Sequence, residues 1–298
     1  MKRAIYELRE PTLAVAPDGE ERIENRPIGQ ILVDLGKLRE RDAARVFDYQ
    51  RRKRLLFGEA ARKLRLVDRA DVDGALAIQF NFPVLQRGQG TLSTELVTAH
   101  DPGHAHAEAI REVRAQLLTR WLSPERKVLV VASAASRDGR SYLAANLAVS
   151  FAQQGEKTLL VDGDLRAPRQ HRIFGLRRGL GLAHALAGGL GLEVAEPIAY
   201  FDDLRVLAAG AAPPNPLELL GRGALQRLLA EARKLYTVVI VDTPPRARAA
   251  DALVLAARAD GALLLARRRA TRLAELDALR REIAAYGTPV PGVVLADG

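Results

Sequence analysis

Three short segments carry residues able to handle a phosphate group and a divalent cation. The first, VASAASRDGRSYLAANLAVSF (131–151), is an apolar run, a small polar loop, then Gly-Arg-Ser and an amphipathic stretch. Consecutive backbone N–H groups of such a loop, with the start of the helix that follows, hold phosphate oxygens. The usual spacing of a P-loop is G-x-x-x-x-G-K-[ST]. Here Ala134 stands at the first glycine and Arg140 at the lysine, while Gly139 and Ser141 fit. The candidate phosphate-binding residues are Ala135, Ser136, Arg137, Asp138, Gly139, Arg140, Ser141 and Tyr142, with Ser141 the expected Mg²⁺ ligand. Arg140 keeps the positive charge, but as a planar fork and not a compact ammonium. Taken alone, this loop is equally well a plain strand–turn–helix connection.

The second segment is LLVDGDLRAPRQH (159–171), an apolar strand ending in Asp162 with Asp164 two residues on. Paired carboxylates at a strand end suit a Mg²⁺ ion, or one metal contact and one general base for a hydroxyl. The third is TVVIVDTPP (237–245), in which Asp242 closes an apolar run. That is the form of a Walker B strand, whose Asp holds the metal. A fourth feature is EAIREVR (108–114), where Glu108, Arg111 and Arg114 fall at i, i+3 and i+6 on one helix face. By itself it reads as a salt-bridged surface helix.

These residues need a scaffold that gathers strand ends. From residue 107 onward, strand-like segments at 127–133, 158–162, 203–208, 237–242, 261–266 and 292–296 alternate with helix-like ones. Such alternation means an α/β fold with a mostly parallel sheet covered on both faces. In open α/β sheets ligands bind beyond the carboxyl ends of the strands, which is where all three segments deliver their polar residues. Upstream, IGQILVDLGKLRERDAARVFDYQ (28–50) repeats as FGEAARKLRLVDRADVDGALAIQ (57–79), with Gly29 matching Gly58 and Gln50 matching Gln79. Each unit predicts a short apolar helix, a turn, an acidic helix start and an amphipathic helix; two units together bury what one cannot. This predicts a small all-α domain over 26–86. Residues 1–25 read as a flexible tail, and the Gly/Ser/Thr/His-rich stretch 87–106 as a linker. The second domain then spans 107–298.

The chain carries a net charge of +9 over 298 residues. That charge permits a nucleotide, nucleic acid or anionic membrane as partner and selects none of them. Cysteine is absent, which excludes disulfides and thiolate-ligated zinc. His100, His104 and His106 lie in the linker stretch, and a metal site there is not the expected reading. No apolar run reaches the length of a membrane span, which places the chain in the cytoplasm.

Together the segments resemble the bacterial tyrosine kinase family (BY-kinases) of polysaccharide synthesis and export. The resemblance covers about 107–296 and rests on E-x-x-R-x-x-R at Glu108, Arg111 and Arg114, D-G-D-L-R-x-P at 162–168, P-P-N-P-x-E-L-L at 213–220 and D-T-P-P at 242–245. It implies a fold like the MinD/ParA ATPases, with MgATP at loop 134–141, Asp162, Asp164 and Asp242. Ser141, Asp162 and Asp242 would be the metal ligands, and Asp162, Asp164 and Arg140 the catalytic residues. It further implies a self-oligomer packed through the Glu108–Arg111–Arg114 helix. The implied activator is a membrane-anchored polysaccharide chain-length-determinant (Wzz-like) protein, which would hold the chain peripheral to the inner membrane. No nucleic-acid partner is expected. The chain departs from the family's pattern at Arg140, at Ala296 and in having no tyrosine cluster after Tyr286. The repeat at 26–86 resembles the N-terminal domain of type II secretion and pilus ATPases, some of which bind cyclic di-GMP. Here the arginine positions of that motif hold Pro27 and Leu56, an inner glycine is Arg65, and Arg26 and Arg54 are the nearby candidates to replace the arginines.

Three functions follow. The favoured one is a tyrosine autokinase that regulates exopolysaccharide chain length. The alternatives are a catalytically degenerate P-loop regulator of the same system, sensing cyclic di-GMP through the N-terminal repeat, and a MinD/ParA-type ATPase.

Overall fold

The computed structural model describes residues 26–80, 85 and 90–297. The expected tail at 1–25 lies outside the described residues. The chain divides into two compact units, Met1–Val84 and Leu85–Gly298.

The smaller unit is built from helices α1 (Ile28–Asp34), α2 (Glu40–Lys53), α3 (Phe57–Lys63) and α4 (Arg69–Gln79). The duplication read from the sequence is physical. α1 and α3 are offset by 29 residues at both ends, and α2 and α4 start 29 apart. Gly36, with φ 67°, and Arg65, with φ 56°, make the same left-handed turn. Its hydrogen bonds repeat too: Lys37 N–H donates to Leu32 O as Leu66 N–H does to Ala61 O. Ile31, Leu32, Leu38 and Val46 of the first copy meet Ala60, Ala61, Val67 and Ala75 of the second in one core. Larger side chains in one half sit against smaller ones in the other, and that keeps the packing dense.

The larger unit holds strands β1 (Val128–Ala132), β2 (Thr158–Asp162), β3 (Glu196–Ile198), β4 (Phe201–Leu207), β5 (Val238–Asp242), β6 (Gly261–Arg267) and β7 (Gly292–Ala296). They form one sheet in the order β3-β4-β2-β5-β1-β6-β7. All pairings are parallel except that of β3 with β4. β1, β2 and β5 are buried along their whole length, as strands covered on both faces must be. Helices α5 (Val97–His100), α6 (Ala105–Arg120), α7 (Arg140–Ala152) and α8 (Gln170–Ile173) belong to one face. The other face takes α9 (Leu182–Ala187), α10 (Pro216–Gly221), α11 (Gly223–Leu235), α12 (Asp251–Ala256) and α13 (Leu273–Ala285). Side chains alternate along each strand: Val128 and Val130 point to the second core, Leu129 and Val131 to the first.

The six expected strands are present. β3 is an addition: three residues with a central proline offer no alternation to read. The stretch 87–106 is corrected more substantially. From Gly90 onward it belongs to the larger unit, and Leu96, Thr98 and Ala99 are fully buried. Its small polar residues bond to side chains of α7. Thr98 N–H donates to Asn146 Oδ1 at 3.1 Å, and Asn146 Nδ2 donates to Glu95 O at 2.9 Å. Leu85 is likewise buried there, its N–H donating to Ala99 O at 2.7 Å, so the boundary falls before it and not after residue 86.

At the far end of α6, Trp121 lies over Gly261. A Cβ on Gly261 would sit 2.4 Å from Trp121 Cζ2. Gly261→Ala is expected to cost about 1–3 kcal/mol, read as a lower urea midpoint. An unchanged midpoint would mean that Trp121 does not pack there.

Candidate active site

The loop between β1 and α7 turns on two residues of positive φ, Arg137 at 65° and Gly139 at 100°. Asp138 braces it by accepting from Ala135 N–H at 3.1 Å. The segment after β5 ties it down, with Arg246 N–H donating to Ser133 O and Ala247 N–H to Ala134 O. α7 then starts at Arg140 with its first-turn N–H groups facing the loop, the end that attracts anions. Ser141 is next in this turn.

Asp162 and Asp242 end adjacent parallel strands and are register partners. Both are fully buried. Burial pushes the carboxyl of Asp162 well above its usual range, and the neighbouring Asp242 adds to this. Asp162 is engaged by backbone on both oxygens: Oδ1 accepts from Asp164 N–H at 3.3 Å, and Oδ2 from Arg169 and Gln170 N–H at 3.1 and 2.9 Å. These bonds tie the 163–170 loop to the end of β2. Asp164 differs. Its Oδ1 accepts from Arg166 and Ala167 N–H, while Oδ2 has no protein partner and is not sealed in.

Burial raises Asp242 to about 6, opposed by the Ser141 hydroxyl, the Gln170 amide and Arg140. Its Oδ2 accepts from Gln170 Nε2 at 2.8 Å, whereas Oδ1 is buried with no hydrogen bond. Gln170 was not singled out by the sequence, yet it joins all three segments. Its N–H meets Asp162, and its Nε2 meets Asp242 and the Ser141 carbonyl, the latter at 3.2 Å. Its own Oε1 is buried and unpaired. Two orphaned oxygens beside a serine hydroxyl, with carboxylates around them, match the oxygen chemistry that Mg²⁺ requires. No signal in the sequence could have found Gln170, since its partners lie 8, 29 and 72 residues away.

Arg140 is nearly buried, at 8% exposure, and its guanidinium bonds to the protein. Nε donates to Thr243 O at 3.0 Å, and Nη1 donates to Ala135 O at 2.8 Å and to Ser133 Oγ. Burial lowers its pKa, with the charges of Asp242, Asp138 and Asp164 opposing. Tyr142 faces away from the loop; its hydroxyl lies 3.3 Å from His106 Nδ1. Glu108, Arg111 and Arg114 lie on α6, apart from this cluster. Arg111 pairs with Glu108 and the Pro102 carbonyl. Arg114 Nη1 donates to Ser150 O of α7 at 2.6 Å.

A loop that presents N–H groups ahead of a helix, with a metal-competent aspartate at the next strand end, defines a P-loop nucleotide-binding domain. Comparison with known proteins narrows this. No family model matches the chain. It is 37% identical over 182 residues to tyrosine-protein kinase YwqD of Bacillus subtilis, a match spanning 61% of this chain and 77% of that one. Putative tyrosine-protein kinase CapB of Staphylococcus aureus is 32% identical over 197 residues, or 66% and 86% of the two chains. In a longer relative, tyrosine-protein kinase etk of Escherichia coli (strain K12), the match is 30% identical and spans 29% of that protein. Among solved structures, the kinase domain of Escherichia coli ETK aligns with a TM-score of 0.67 at 29% identity, over 72% of this chain and 83% of that one. The chimerical protein CapA2B2 gives 0.63 at 31%, over 75% and 97%. The Pyrococcus furiosus cell division ATPase MinD shares the fold, with a TM-score of 0.51 over 57% of this chain and 71% of that one at 24% identity. The chain belongs to the bacterial tyrosine-protein kinase family.

Proposed function

We propose that this protein is a MgATP-dependent protein-tyrosine kinase of exopolysaccharide synthesis or export, and that it regulates polymer chain length. The observation that carries the reading is the fully buried Asp242 carboxylate at the end of β5, set against the Ser141 hydroxyl at the start of α7. Backbone N–H groups of 135–141 would hold the phosphates, and Ser141 and Asp242, with Asp162 behind them, the Mg²⁺. Mg²⁺ when bound supplies charge neutralisation of the phosphates. Asp164 is better placed than Asp162 to take the proton of an acceptor hydroxyl, because its Oδ2 is uncommitted. As the tyrosine oxygen bonds to the γ-phosphorus, the bond to the ADP oxygen breaks and the phenolic proton passes to that carboxylate.

The exposed tyrosines of the larger unit are Tyr200 and Tyr286. Each lies just ahead of a strand that runs parallel to β1, so both sit at the sheet end opposite the loop. Neither of these two reaches the loop of its own copy, which supports an acceptor tyrosine supplied by another molecule. That fits a self-oligomer packed through Glu108, Arg111 and Arg114, and a membrane-anchored chain-length-determinant partner that brings copies together at the inner membrane. Among the described residues no helix is long and apolar enough to cross a membrane. The commitment of Arg140 to protein acceptors favours a second reading, a degenerate regulator of the same system.

Calorimetric titration with MgATP, followed by phosphotyrosine detection, tests the proposal. The protein is expected to bind MgATP, and Asp162→Ala to weaken binding at least about 10-fold by releasing the 163–170 loop. Binding without phosphotyrosine under any condition would leave the regulator. No binding at millimolar nucleotide by folded protein would sink the nucleotide reading itself.

A further inference from the structure

The position where a P-loop carries lysine is filled here by a side chain that is tied down. Arg140 has five N–H donors in a fixed fork. Three are used: Nε reaches Thr243 O at the end of β5, and Nη1 reaches Ala135 O and Ser133 Oγ within the loop. Ser133 Oγ itself donates to Ala135 O at 3.0 Å, and Thr243 Oγ1 donates to Val131 O at 2.8 Å, so the acceptors are held in turn. Nη2 is different. It makes no hydrogen bond, and it is not among the sealed, unpaired polar atoms of the interior.

We propose that Arg140 is a positioning residue that fastens the phosphate loop to the end of β5, and that only its Nη2 edge is offered to a phosphate oxygen. The second half of this rests on the nucleotide reading above; the first half does not. A lysine places one nitrogen on a flexible stem and cannot hold three acceptors in two segments while presenting another nitrogen to a ligand. In this chain Arg140→Lys is therefore not a conservative change. It keeps the charge and gives up the fastening.

The test compares Arg140→Lys with Arg140→Gln and Ser133→Ala in the full chain. Without nucleotide, Arg140→Lys and Arg140→Gln are each expected to lower Tm by about 4–8 °C, and Ser133→Ala by less. Unchanged Tm in Arg140→Lys overturns the fastening role, whatever nucleotide does. In calorimetry, Arg140→Lys is expected to bind MgATP more weakly than the wild type. Arg140→Gln should bind about 10-fold more weakly still, while AMP, used as a probe without β-phosphate, separates the two variants little. Equal MgATP affinity in the Lys and Gln variants overturns the phosphate contact, since a purely structural role would not sense the charge. If the wild type binds no nucleotide but Arg140→Lys still loses Tm, the fastening stands and both the phosphate contact and the nucleotide reading fall.

Discussion

Asp242→Asn is expected to abolish Mg²⁺-dependent nucleotide binding and, in the same molecule, to stabilise the protein in the absence of Mg²⁺. Both effects come from one buried carboxylate. Burial raises its pKa from 3.8 to about 6. The folded state therefore keeps a proton that the unfolded chain releases. Below pH about 4 the group is protonated in both states and costs nothing. As pH rises to about 6 the unfolded chain ionises first, and stability is lost across that window. Above it the full penalty of about 3 kcal/mol remains. Asparagine is neutral throughout and still offers an oxygen to Gln170, so the variant should lose this pH dependence and unfold later at pH 8. It also loses the anionic oxygen that a cation needs, and turnover should fall by about 100-fold or more. The checks are thermal unfolding at pH 5 and pH 8 without Mg²⁺, and titration of nucleotide with and without it. A variant less stable than the wild type at pH 8, or one with intact Mg²⁺ dependence, would contradict this account.

The second large effect is structural and falls on Arg166, inside the D-G-D-L-R-x-P segment at 162–168. Arg166→Ala is expected to destabilise the protein by about 3–5 kcal/mol. Arg166 grips Asp251 at the start of α12 with two nitrogens, at 2.7 and 3.2 Å. Asp251 is fully buried, while the Arg166 side chain is 35% exposed. The two halves of this pair are thus unequal. Without Arg166, Asp251 is a buried charge with no bonded partner. Without the Asp251 charge, Arg166 turns to water. Asp251→Asn should therefore cost less than Arg166→Ala, and adding it to Arg166→Ala should recover part of the loss. Equal losses in the two single variants, by urea unfolding, would refute the asymmetry.

Much of this molecule is legible in its sequence, for local reasons. β2 and β5 are apolar runs that each end in a carboxylate, and such runs report their own burial and direction. The 29-residue duplication is visible because turn and core positions repeat together. What stays hidden depends on contacts between distant residues. Gln170 looks like a loop residue until the strand ends that it joins are side by side. The stretch 90–106 looks like a linker because its composition is small and polar, but Asn146 on α7 turns that polarity into buried hydrogen bonds. Arg140 and Arg114 have side chains long enough to point in several directions, and no spacing rule tells that both bend onto their own chain.

The two edges of the sheet are not alike. At one end β3 runs antiparallel, breaks register and places Pro197, which has no N–H, on the outer strand. At the other end β7 is parallel, carries no proline, and leaves Val293 and Leu295 about half exposed. Proline and irregular register are devices that stop a further strand from adding. Of the two outer strands β3 carries these devices and β7 does not, so a strand that added to this sheet would be expected at β7 and not at β3.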